Sequence, residues 1–290
     1  MGIFSFLSGK NKNSNGSDDA LENIEVDNGV FLPKAFAAYW EQIKKTGLEY
    51  IEIKASPAND IKATESSFGA IPFIPSGFNY PVDKDGKQMT PLAQLNFSEI
   101  PHLKNYPEKG LLQFYISDND CYGLDFNNQY NPDSFRIIYI ENPEQLQEEK
   151  DIDFVKQLLQ SENTPVFKPH RLSFSKKTDY VGLNDYRSNL HGFSVNDWVS
   201  QYSGNINSKL EDLSYELFAT NGHRIGGYAY FTQTDPREYM KMARDTVLLF
   251  QMDSDNEIMW GDVGVGNFFI KPQDLAAKDF SKVLYNWDCC

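Results

Sequence analysis

Gly69 and Gln94 stand 25 residues apart, and Gly226 and Gln251 repeat that spacing in similar surroundings. The first stretch reads GAIPFIPSGFNYP and then LAQLNFSEIP; the second reads GGYAYFTQTDPR and then LLFQMDSDNE. Laid over one another without a gap, Ile71 falls on Tyr228, Leu92 on Leu249 and Asn96 on Asp253. Each stretch then reaches a further apolar segment, GLLQFYI from Gly110 and GNFFI from Gly266. Self-similarity of this kind predicts an internal duplication, two related halves that both contribute strands.

The segments around the repeats predict the fold class. FRIIYI, HRIGGYAYF, TVLLFQMD, EIMWGDVG and NFFI read as strands separated by turns. DFSKVLYNWDCC alternates, with Val283, Tyr285, Trp287 and Cys289 on one face, which marks a closing strand. Asp85-Gly86 signals a hairpin. Phe36, Tyr39, Trp40 and Ile43 recur at helical spacing between Pro33 and Thr46, with Gly47 placed as a C-terminal cap. Pro143 heads an acidic helix, and Pro272 to Lys278 reads as a short one. A further helix opens at Ser208 and Glu211, a capping-box pair, and buries Leu210, Leu213, Leu217 and Phe218 before Asn221-Gly222. Strands joined by short turns, without regular strand–helix alternation, predict an α+β protein of mainly antiparallel sheets with flanking helices. Residues 9–20 are polar and rich in Gly, Asn and Ser, so residues 1–27 are expected to form a flexible segment. Residues 28–290 are then one domain of two pseudo-repeats, about 28–160 and 205–290, joined by 161–204.

A formal net charge of −14 sets the partner class. Like charge repels nucleic-acid backbone and anionic membrane, whereas a basic protein is drawn in. No run approaches the roughly 18 apolar residues that span a bilayer. MGIFSFLSGK lacks the basic start of a signal peptide, and Phe6 stands where myristoylation needs Ser or Thr. Three cysteines, Cys121, Cys289 and Cys290, make no disulfide framework, so a reducing cytoplasmic location is expected. The Cys289-Cys290 end follows apolar VLYNW, which suits a strand end better than a prenylated tail.

Chemistry-bearing motifs are sparse. Asp253, Asp255 and Glu257 alternate as calcium-loop ligands do, but Ile258 stands where that loop needs glycine and Gly264 where it needs glutamate. Gly261, Gly264 and Gly266 precede a strand, not a helix, so they mark a bulge or close strand crossing and not a phosphate loop. His102, His170 and His191 are scattered without metal-ligand spacing, and no serine sits in a nucleophile elbow. No catalytic residue, metal site or cofactor is assigned. Gln94 and Gln251 are polar residues in apolar runs, and each must find partners. The ligand-binding candidates are His223, Arg224, Gln251, Asp253, Asp255, Trp260 and Asp262. Arg224 would contact an anion, the aspartates a cation or hydroxyl, and Trp260 would form an apolar wall. The competing reading makes the same residues structural ties between strands.

FGAIPFIPSGFNYP, LAQLNFSEIP, HRIGGYAYFTQTDPR and LLFQMDSDNEIMWGDVGVGNFFI together resemble the signature stretches of the YwqG-like bacterial proteins, a family of unknown function. The resemblance runs from about residue 30 to the C-terminus. It implies a soluble α+β bacterial protein and carries no activity or site residue. Ala229 departs from the proline expected in many such proteins. The sequence thus leads to a non-enzymatic binding module with an acidic surface, toxin neutralisation being one form of it. The alternative is a small-molecule or cation-binding protein, or an enzyme, with its site between the halves.

Overall fold

The computed structural model describes residues 19–190 and 194–290. The N-terminal apolar run and most of the expected linker therefore lie outside the described residues, as does His191. Order begins before residue 28, because Asp19–Leu21 form a 3₁₀ turn and β1 (Asn23–Asp27) follows. The other strands are β2 (Val30–Pro33), β3 (Leu48–Pro57), β4 (Ser67–Phe68), β5 (Thr90–Asn96), β6 (Leu111–Ile116), β7 (Phe135–Ile140), β8 (His170–Asp179), β9 (Arg224–Gly226), β10 (Val247–Asp253), β11 (Val265–Ile270) and β12 (Leu284–Asp288).

The chain divides into two compact units. The first takes in the chain up to Glu49, with Lys177–Asn221 and Tyr228–Tyr230; the second holds Tyr50–Lys176, Gly222–Gly227 and Phe231–Cys290. In the first unit, β1 and β2 form an antiparallel hairpin beside short helices. Leu32, Phe36, Trp40, Ile43, Trp198, Leu210, Phe218 and Tyr228 make its core. The helix expected over Pro33 to Thr46 is two, Lys34–Ala37 and Trp40–Lys44. Between them Tyr39 N–H bonds the Phe36 carbonyl, a tight turn that lets Tyr39 stack on Trp198 at 4.0 Å. The helix expected to open at Ser208 starts earlier, at Asn205, after Gly204 reverses the chain at φ 60°. Asp185 is buried and holds Arg187 through Nε at 2.8 Å and Nη2 at 2.5 Å. Asp185 also accepts the Ala229 amide at 3.0 Å, a donor that proline would lack.

The second unit is built on a sheet of order β12-β11-β10-β9-β3-β8-β4-β5-β6-β7. The pairings β11–β12, β10–β11, β9–β10, β3–β9, β4–β8, β4–β5, β5–β6 and β6–β7 are all antiparallel. The protein is thus of the α+β class, as the segment pattern predicts. Every residue of β6 and of β11 is buried, which is why both read as apolar runs, interrupted only by the buried amides Gln113 and Asn267. Leu112, Phe114 and Ile116 face one core, where Phe114 lies 4.9 Å from both Phe250 and Phe268. The arm β4–β7 therefore faces β10–β12 across a layer of rings. EIMWGDVG, expected as a strand, is instead a turned connection between β10 and β11, with Gly261 at φ 56° and Val263 at φ 55°.

The aligned repeats occupy like places in this unit. Gly69, directly after β4, and Gly226, the last residue of β9, both have positive φ, 56° and 72°, which a side chain resists. Bulges fall between Pro91 and Ala93 in β5 and between Leu248 and Phe250 in β10, at the aligned leucines. Gln94 lies opposite Ser67 and Gln113; Gln251 lies opposite Arg224 and Asn267.

Candidate functional site

Each buried glutamine closes a loop that precedes its own strand pair. Gln94 Nε2 donates to the carbonyls of Glu65 at 2.9 Å and Ala63 at 2.7 Å, and its Oε1 accepts the Phe73 amide at 2.9 Å. Gln251 Nε2 donates to the Gly222 carbonyl at 2.8 Å. One strand residue later but one, the parallel continues. The Asn96 amide donates to Ser66 Oγ at 2.8 Å, and the Asp253 amide to His223 Nδ1 at 3.0 Å.

That last bond fixes the imidazole. A backbone N–H aimed at Nδ1 makes this nitrogen the acceptor, so in neutral His223 the proton sits on Nε2, which donates to Asp255 Oδ2 at 3.1 Å. The His223 bond holds the Asp255 carboxyl at about 2, helped by amides of Glu257 and Ile258 that donate to Oδ1 at 2.8 and 2.9 Å. Asp253 is buried, and burial pushes its carboxyl above the ordinary value against the pull of two amides. Those amides are Gly222, at 2.6 Å from Oδ2, and Ser254, at 2.8 Å from Oδ1.

The sequence candidates are only partly brought together. His223, Gln251, Asp253 and Asp255 join one network around Gly222 and His223. Arg224 and Gln251 are cross-strand partners on the face opposite Ile225, which belongs to the core. The Arg224 guanidinium covers the Tyr50 ring at 4.4 Å. Trp260 is fully buried among Tyr122, Tyr285 and Trp287, so it is core and not the wall of a cleft. Asp262 is exposed, and its carbonyl accepts from the Cys290 amide. Both His223 nitrogens are bonded in neutral His223, and the carboxylates accept backbone amides. Such groups are poorly placed to act as base or ligand without first breaking those bonds. Among the described residues no group of three or more His, Cys, Asp or Glu side chains is arranged to hold a metal ion.

Two features escape the sequence reading. His170 is 1% exposed, and neither ring nitrogen makes a well-formed hydrogen bond. Burial pushes its pKa down, against an opposing pull from the Lys168 backbone and the Asp255 and Glu257 carboxylates. The alternation of His170, Leu172 and Phe174 was the available signal, since it sets the imidazole on the face of a buried leucine. The second is a cavity of about 290 Å³ lined by Asp83, Lys87, Asp118, Asn131 and Asp133 among others. Burial raises the Asp118 carboxyl, but bonds from Lys87, Ser161 and Asn163 outweigh it and hold it low. These residues come from separate turns, so no local motif announces them.

Among the described residues no helix is long and apolar enough to cross a membrane. A search of curated proteins returns no match. A family model described as a domain of unknown function, DUF1963, matches residues 66–289. That span opens at Ser66, takes in both Gly–Gln strand pairs and reaches the end of the closing strand, and the chain therefore belongs to the DUF1963 family.

Proposed function

We propose that this chain is a non-enzymatic binding module whose acidic surface meets a basic protein partner, with neutralisation of a cationic toxin as one form of that role. The observation that carries the reading is the saturation of the candidate network. His223, Asp253 and Asp255 are bonded to their own backbone or to each other, while the chain keeps a formal charge of −14. Surface carboxylates of this excess steer encounter with a cation and lose that effect in salt. Capture of partners from native lysate at low ionic strength is expected to retain basic proteins that high salt releases. A set of partners unchanged by salt would count against the reading.

The second reading, a small polar or cationic ligand, is favoured by the cavity at Asp83, Asp118 and Asp133. We further propose cytoplasmic residence in a bacterium and membership of the YwqG-like branch, on the resemblance of the repeat segments. The two arms of the second unit are read as products of one duplication. The paired bulges, the positive-φ glycines and the two amide contacts support this. A duplicated role predicts matched costs. Gln94→Leu and Gln251→Leu should each lose about 1–3 kcal/mol by stranding a buried carbonyl. Urea unfolding of both variants checks this, and a neutral Gln251→Leu beside a costly Gln94→Leu would break the equivalence.

A further inference from the structure

We propose that the connection between β10 and β11 is an acid-released latch over one end of the second unit's aromatic core, docked through His223 and kept shut while the buried His170 imidazole is neutral. The latch contacts all fall within residues 255–259. Ile258 bridges Val166, the Met259 amide donates to the Pro165 carbonyl at 2.8 Å, Glu257 pairs with Lys168 at 2.8 Å, and Asp255 takes the His223 proton bond. His170 follows Lys168 by two residues and lies directly across from Phe68 in the β4–β8 pair. The Phe68 ring in turn meets the His223 ring edge-on at 5.3 Å. Two imidazoles therefore bracket one core phenylalanine at the point where the connection docks.

Of the two imidazoles, that of His170 is suited to the closed state only while uncharged. His223 is held in place at both nitrogens, by the Asp253 amide on Nδ1 and by Asp255 on Nε2. A proton on His170 places a charge in a nearly closed site, where the Lys168 backbone can satisfy at most one of its two donors. The titratable groups around His170 are Asp255, Glu257 and His223; those around His223 are His170, Asp253, Asp255 and, next in the chain, Arg224. A protonated His170 draws on Asp255 and Glu257, the same carboxylates that hold the connection down through His223 and Lys168.

The sign follows from burial. It depresses the folded pKa of His170 below the ordinary histidine value of 6.5, so the stabilisation is complete above that value. It is lost as pH falls through the lower folded value. Amide hydrogen exchange read by NMR on the full chain tests this at Met259, whose amide crosses the latch, against core amides such as Phe268. Protection at Met259 is expected to fall about tenfold or more, beyond the intrinsic rate change, between about pH 7.5 and pH 5 while Phe268 holds. His170→Phe, which keeps an aromatic ring in the site, should flatten that dependence. An equal pH course in wild type and variant, or no selective loss at Met259, overturns the proposal. Should His170→Phe fail to fold, the wild-type ring signals decide. Titration of His170 in step with the loss at Met259 sustains the latch, and loss without that titration removes it.

Discussion

Asp235→Ala is expected to cost about 3–5 kcal/mol of folding stability, because it leaves a guanidinium buried without its carboxylate. The side chains of Asp235 and Arg237 are 2% and 0% exposed. Asp235 accepts the Arg237 amide and Nε, both at 2.9 Å, and its second oxygen takes Nη2 at 2.7 Å. Arg237 also lies 4.2 Å above the Phe269 ring, on the side of β11 turned away from Phe268. Desolvation is what sets the size of the effect. A pair such as Lys278 with Glu141, both well exposed, is screened by water and worth about 0–1 kcal/mol. The test is a mutant cycle in urea. Asp235→Ala with Arg237→Leu removes both charges and should recover more than half of the single variant's loss. A single variant within about 1 kcal/mol of wild type would deny this pair its anchoring role.

The same pair shows where sequence reasoning stops. Asp-Pro-Arg is a single charged pair about a proline turn, and no apolar period around it signals that both charges are buried. Its burial comes from Phe231 and Phe269, which approach only after the sheet forms. Legible features are those with a local pattern: the closing strand Leu284–Asp288, the short helix Pro272–Ala276 and the largely apolar runs of β6 and β11. The gap-free alignment of Leu92 with Leu249 fell on two positions that both carry a bulge, since a bulge is recorded in where the apolar alternation slips. Helix starts were less legible, because Gly204 at positive φ set the boundary that Ser208 and Glu211 suggested later. Within the candidate site, His223, Asp253 and Asp255 were found by their polar crowding. His170 was not, because its partner on the sheet is distant in sequence. Trp260 was misplaced for the opposite reason: an aromatic beside acids resembles a ligand wall until its burial is known.

Gly266→Ala should destabilise the protein by about 1–3 kcal/mol in the wild-type background and by far less once Trp260 is small. A methyl at Gly266 would stand 2.4 Å from one Trp260 ring carbon and 2.6 Å from another. The ring has no room to retreat, being fully buried with Tyr122 edge-on at 5.6 Å and Trp287 beyond at 6.2 Å. The clash must therefore move β11 or distort the ring's rotamer. Trp260→Ala alone should lose about 3–5 kcal/mol, the transfer term of a large ring plus the void it leaves. Adding Gly266→Ala to that variant puts a methyl into the void, so its cost should fall to near zero. The indole N–H has no hydrogen-bond partner, so Trp260→Phe sheds volume without stranding an acceptor and should cost less than Trp260→Ala. Additive costs for Gly266→Ala and Trp260→Ala would mean that the glycine is needed for its backbone and not for the ring above it. The close crossing inferred from the glycine spacing would then have another cause.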